Sequence, residues 1–136
     1  MVRGYRFFTK YIMITEHNFS FETLNVYQAV RNLVKEIYIA QKHLPKEETY
    51  ALGDQIRRAA ISISSNLAEG SARSSYREKI HFIELSYGSL MEVYSQLQLG
   101  IDLNYIEQET FLSIREDIIN IAKMMSGLKS SFESRL

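Results

Sequence analysis

Residues 76–101 read YREKIHFIELSYGSLMEVYSQLQLGI, and this stretch decides the fold. Its apolar positions are Tyr76, Ile80, Ile83, Tyr87, Leu90, Tyr94, Leu97 and Ile101. The steps between them alternate four and three, which keeps all of them on one side of an α-helix. A strand turns over at every residue and cannot gather that set on one face. Just upstream, Ser75 and Glu78 stand three apart, the spacing of a capping box. Asn104 is the expected C-cap. A helix of this length with one apolar seam needs partners to bury it.

Three more seams supply them. Toward the N-terminus, Val26, Val30, Leu33, Ile37, Ala40 and Leu44 step by four and three. Ser20 is a plausible N-cap, with Glu22 in the first turn, and Pro45 ends the run. A second helix is expected from about Lys46, with Glu47 and Glu48 at its positive end. Its seam is Leu52, Ile56, Ala59 and Ile63, followed by Asn66 and Gly70, with Gly70 as the C-terminal stop. Toward the C-terminus, Phe111, Ile114, Ile118, Ile121, Met125, Leu128 and Phe132 form the fourth seam, with fraying expected after about Ser131. The links around Pro45, residues 71–74 and residues 104–106 are short, and short links make sequential helices antiparallel neighbours. The expected fold is all-α, an antiparallel up-down-up-down four-helix bundle.

The remaining composition fits one such domain. The chain has 136 residues, no cysteine, one proline and six glycines. Absent cysteine removes thiol nucleophiles, thiolate metal sites and disulfides. Few turn residues argue against a β-sandwich or barrel. No apolar run approaches the roughly 20 residues of a membrane span. Residues 1–15, MVRGYRFFTKYIMIT, carry Arg3, Arg6 and Lys10, and Lys10 interrupts the apolar run that a secretory signal requires. The expectation is a cytoplasmic protein with no membrane partner. Residues 1–18 are expected to be a poorly ordered arm, with Met13 as a second candidate start, and 19–136 the bundle domain.

Four-helix bundles often hold two metal ions, which takes two Glu-x-x-His motifs and two further inward glutamates. Glu78 and His81 form one motif. His17 and His43 have no glutamate three residues before them. One motif builds no such centre, so Glu78 reads as a cap and His81 as a half-exposed side chain. No serine stands in a pattern with a histidine base, and no glycine-rich phosphate loop is present. Catalytic, metal and cofactor-binding residues are therefore expected to be absent.

Two polar stripes carry more information. On the second helix Gln55, Arg58, Ser62, Asn66, Glu69 and Arg73 recur at three and four. An asparagine in an apolar seam costs stability, and its best-attested use is to set register or association state. The third helix has a matching edge of His81, Glu84, Gly88, Glu92 and Ser95. Glycine in mid-helix costs about 1 kcal/mol, which makes sense where another backbone comes close. Internal packing and a contact between subunits both satisfy this spacing.

Charge is unevenly distributed. Lys+Arg and Asp+Glu both total 16, so net charge is zero. Residues 57–81 hold Arg57, Arg58, Arg73, Arg77 and Lys79 against Glu69 and Glu78, a balance of +3. Residues 84–117 hold seven acids against Arg115, a balance of −6. Opposite regions suit complementary subunit contacts. The five basic residues are equally a candidate nucleic-acid contact, or partners for the acidic region of their own chain.

The run Gln55-Ile56-Arg57-Arg58-Ala59-Ala60-Ile61-Ser62-Ile63-Ser64-Ser65-Asn66-Leu67-Ala68-Glu69-Gly70 resembles the signature of the bacterial four helix bundle protein family. That family is also called the 23S rRNA intervening-sequence protein family. Phe82 to Val93, Leu24 to Ala29 and Met124 to Leu128 are similar to its other blocks, so the resemblance spans about residues 20–130. Tyr27 stands where members often carry tryptophan. The resemblance implies a small cytoplasmic bundle without enzymatic activity that assembles as a homopentamer. Some members are encoded inside insertions in ribosomal RNA genes. A related, strongly basic branch serves reverse transcriptases of diversity-generating retroelements as an accessory protein. The resulting expectation is a homo-oligomeric assembly or adaptor with an RNA or protein partner. Gln55, Arg58, Ser62, Asn66, Glu69, Glu84, Gly88 and Glu92 would be its structural or interface residues. The alternative is an RNA- or DNA-binding accessory module that uses Arg57, Arg58, Arg73, Arg77 and Lys79.

Overall fold

The computed structural model describes residues 19–136. The expected N-terminal arm, the start at Met13 and His17 lie outside the described residues. Four α-helices carry the fold: α1 Asn25–Gln41, α2 Leu52–Ser71, α3 Tyr76–Asp102 and α4 Gln108–Glu133. Among the described residues there is no strand. The helices close a ring of contacts, α1 on α2, α2 on α3, α3 on α4 and α4 back on α1. Contacts run in opposite order along neighbouring helices: Gly70 faces Phe82 while Ser86 bonds Ile63, and Tyr76 meets Phe132 while Tyr94 meets Phe111.

The seams of α1 and α4 lie where periodicity puts them. Val26, Val30, Leu33, Ile37 and Ala40 are buried on α1, and Ile114, Ile118, Ile121 and Met125 on α4. Phe111, Leu128 and Phe132 pack against this core partly buried. On α3 the seam is rotated. The buried positions are Ile83, Ser86, Leu90, Val93, Leu97 and Gly100, while Tyr87 is 40% exposed. Ser86 makes a close contact with α2, and the hydroxyls of Tyr76 and Tyr94 accept hydrogen bonds from Arg135 and Arg115.

Several helix ends correct the sequence reading. Ser20 does not start α1. Residues Ser20–Thr23 form a 3-10 turn, and Leu24 is extended at φ −72°, ψ 125° before α1 begins. The Phe19 amide donates to Glu22 Oε2 at 3.1 Å, and Gln28 Nε2 donates to the Glu22 carbonyl at 2.7 Å. Glu22 thus serves the short turn rather than the long helix. Likewise Lys46–Glu48 is a separate 3-10 turn, and α2 begins at Leu52, whose amide donates to Glu48 Oε2 at 3.2 Å. Glu48 therefore caps a helix that starts four residues after it. At the far end Gly70 is no stop. It is buried inside α2, and Ala72 ends the helix in ordinary right-handed geometry. A Cβ on Gly70 would lie 2.7 Å from Phe82 Cβ, so glycine is there because α3 comes close.

The start of α3 follows the sequence, and its C-cap is Leu103, one residue before the expected Asn104. The Glu78 amide donates to Ser75 Oγ at 3.2 Å, opening α3. Asn104 takes φ 59° just past α3. The Tyr105 amide donates to the Gly100 carbonyl at 2.8 Å and the Asn104 amide to the Ile101 carbonyl at 2.9 Å, a Schellman closure. Gly100 makes room for it, since a Cβ there would meet Ile106 Cδ1 at 2.5 Å.

Ser86 is fully buried, and its hydroxyl donates to the Ile63 carbonyl at 2.7 Å. This one directional bond joins α2 and α3 at mid-length. Ser86→Ala should cost only about 1 kcal/mol, because the Ile63 carbonyl keeps its helical donor. Ser86→Asn, which must bury a larger amide, should cost more than twice that; denaturant unfolding of the two variants checks the ordering.

Candidate functional site

The polar stripe of α2 divides on folding. Gln55, Arg58, Glu69 and Arg73 are exposed, whereas Ser62 and Asn66 are half-buried at the edge of the core. The seam continues through Leu67, not Asn66, because positions three and four after Ile63 compete for the same face and the apolar one goes inward. Asn66 Nδ2 donates to the Ser62 carbonyl of its own helix at 2.9 Å. Asn66 also lines a cavity of about 250 Å³ at this end of the bundle.

On α3, His81, Glu84, Gly88, Glu92 and Ser95 are all exposed. They occupy the side opposite the buried Ile83–Ser86–Leu90–Val93–Leu97 seam. Among the described residues no hydrogen bond or ion pair joins this edge to the α2 stripe, so the two are not one internal seam. A Cβ on Gly88 would find nothing within 4 Å. Among the described residues no backbone therefore accounts for glycine at that position. Leu85 and Met91, three residues to either side of it, are each exposed by more than a third, as is Leu99 further along the helix. Glu84 is the exception on this edge. It pairs with Lys129 of α4 at 3.1 Å, and that carboxylate's hydrogen bond and charge raise the lysine above its usual range.

The five basic residues do not converge. Arg57 donates to Gln41 Oε1 at 2.6 Å and to the Thr49 carbonyl at 2.8 Å, fastening α2 to the end of α1. Arg58 pairs with Asp54 at 2.9 Å. Arg73, Arg77 and Lys79 lie at the other end, around the α2–α3 link. Arg73 covers the Phe82 ring at 4.6 Å, Lys79 donates to the Ser71 carbonyl at 2.9 Å, and Arg77 is exposed. The fifteen residues from Arg58 to Arg73 span roughly 22 Å at 1.5 Å each. Arg57 and Arg58 find their acid in Asp54, not in the acidic region beyond residue 84.

His81 lies edge-on to Phe82, with ring centroids 5.8 Å apart. Among the described residues no three His, Asp or Glu side chains gather as a metal site, and no helix is long and apolar enough to cross a membrane.

One pair of acids escaped the sequence reading. Glu36 on α1 meets Asp117 on α4 across the bundle. Burial, then the neighbouring Asp117 carboxyl, raises the Glu36 pKa from 4.5 to about 7. Glu36 Oε2 is shut off from water without a hydrogen-bond partner. Two ionised carboxylates only repel; a proton on Glu36 turns that contact into a hydrogen bond. The signal was faint, because each acid is simply a polar residue beside its seam.

No curated protein matches the chain. Among solved structures it is similar to a protein of unknown function from the S23 ribosomal protein family of Bacteroides thetaiotaomicron, with 24% identity and a TM-score of 0.71. The match covers 76% of this chain and 97% of that one, and at this identity it bears on the fold alone. The model of the 23S rRNA-intervening sequence protein family matches residues 22–127, spanning all of α1, α2 and α3 and most of α4. The chain belongs to that family.

Proposed function

We propose that the protein is a non-enzymatic homo-oligomeric assembly or adaptor, and that the outer edge of α3 around Gly88 is a contact between copies. The observation that carries this reading is the open space at Gly88. A mid-helix glycine costs about 1 kcal/mol relative to alanine, and nothing among the described residues uses the room it leaves. A second backbone is the economical explanation. Leu85 and Met91 supply apolar area beside it, and Leu99 extends that exposed apolar area along the helix. Glu92 and the acidic stretch beyond it are opposite in sign to the basic excess of residues 57–81, a pairing that suits a contact between two copies. Five copies is the number that the family resemblance implies, and the partner of the assembled particle is RNA or protein.

Gly88→Arg tests the contact, because it puts bulk and charge where a neighbouring backbone would lie and starts from an exposed Cβ with no described neighbour within 4 Å. Light scattering should show a smaller particle for Gly88→Arg with circular dichroism unchanged. The same mass as the parent would remove α3 from the contact. Asn66→Leu should change association more than helix content if Asn66 takes part, and an unaltered mass would confine Asn66 to its own bundle.

A further inference from the structure

We infer that the end of the bundle holds a binding site for a small amphipathic anion, an apolar body with one carboxylate. The site is the cavity beside Asn66, with a volume of about 250 Å³. Its walls are Leu24 of the segment before α1, Leu67 of α2, Ile83 of α3, and Leu128 and Phe132 of α4. Each helical wall thus comes from a seam whose neighbours are packed shut further along the bundle. An apolar cavity of about 150 Å³ stays dry and takes up benzene, so this one holds a phenyl ring and a short chain.

Its polar groups decide the charge of the occupant. Lys79 and Arg135 line the cavity, and among the described residues no carboxylate does. Each cation spends only part of its donor capacity inside the protein. Lys79 gives one hydrogen bond to the Ser71 carbonyl at 2.9 Å, and Arg135 gives one to the Tyr76 hydroxyl at 3.1 Å. An ammonium has three donors and a guanidinium five, so donors remain at both groups for a carboxylate. Apolar walls with a few convergent polar groups are the usual make-up of a small-molecule site. The proposal does not depend on the α3 contact, because none of the residues named at the site belongs to that edge.

The full chain, titrated with 3-phenylpropanoate and followed by amide chemical shifts, tests this. Saturable shifts are expected at Leu67, Gly70, Ile83 and Leu128, with a dissociation constant in the millimolar range or tighter. The neutral 3-phenylpropan-1-ol should bind at least about fivefold more weakly, as expected when a charge-assisted hydrogen bond is lost. The double variant Lys79→Met, Arg135→Met should bind acid and alcohol alike. Lack of saturable shifts, shifts confined to other surfaces, or equal binding of acid and alcohol by the parent would each overturn the assignment.

Discussion

Gly70→Ala should destabilise the protein, although alanine is the better helix former. The two effects oppose each other. Alanine gains about 1 kcal/mol of intrinsic helix preference. Its Cβ, however, would lie 2.7 Å from Phe82 Cβ, an atom one bond from the α3 backbone. No side-chain rotation removes that overlap, so the helices must part, at a typical cost of 1–3 kcal/mol for overpacking, roughly. A net loss of about 1 kcal/mol is expected for Gly70→Ala, and more than about 3 kcal/mol for Gly70→Leu. Gly88→Ala is the internal control. With nothing within 4 Å of the added atom, the separated chain should gain about 1 kcal/mol, or roughly 2–4 °C in Tm. Thermal melts give the comparison, with Gly88→Ala melted at concentrations low enough for sedimentation to show the single chain. A stabilised Gly70→Ala would mean that α2 and α3 stand further apart than described.

The second large effect is on pH dependence. Glu36 carries a pKa of about 7 in the fold against 4.5 unfolded. Between those values the folded chain binds the proton more tightly, so this group's stabilising contribution is complete below about pH 4.5 and is lost as pH rises through 7. Part of Glu36 remains exposed, and solvent screens the repulsion, so the loss is about 1–2 kcal/mol rather than the full value of the shift. Glu36→Gln mimics the protonated form at every pH. It should match the parent near pH 4.5 and exceed it by about 1–2 kcal/mol near pH 8 in urea unfolding. Asp117→Asn should remove part of the same difference. Parallel stability curves for parent and Glu36→Gln would show that the carboxyl is well solvated.

The helices and their seams were legible because a step of three or four has few alternative readings. The ends of α1 and α2 were not. Ser20 and Lys46 carry the residue types of a helix start, but 3-10 turns use the same donors and acids, and only the extended Leu24 and the bond from Leu52 to Glu48 separate the two outcomes. Gly70 illustrates a different ambiguity. A glycine near a helix end serves a left-handed turn or a close neighbour equally well, and Phe82 decides it. Ser86 was invisible for the opposite reason: polar residue types are expected outside, yet one hydroxyl fits inside by reaching Ile63.

The candidate site was legible as a pattern and divided by geometry. Periodicity found the α3 edge at Gly88 but was silent on whether the space beside it was filled. The basic residues looked like one group because they are close in sequence, whereas a helix of twenty residues carries its two ends to opposite poles of the bundle. Glu36 and Asp117 come together only through the packing of α1 on α4.

A second copy of the chain is proposed to fill the space beside Gly88, and the mass of the native particle tests that most directly. Sedimentation velocity at neutral pH and moderate salt should return a discrete multiple of the 15.8 kDa chain, with no 15.8 kDa species at micromolar concentration. A single 15.8 kDa species up to the highest attainable concentration would contradict the account and leave the exposed edge of α3 without an occupant.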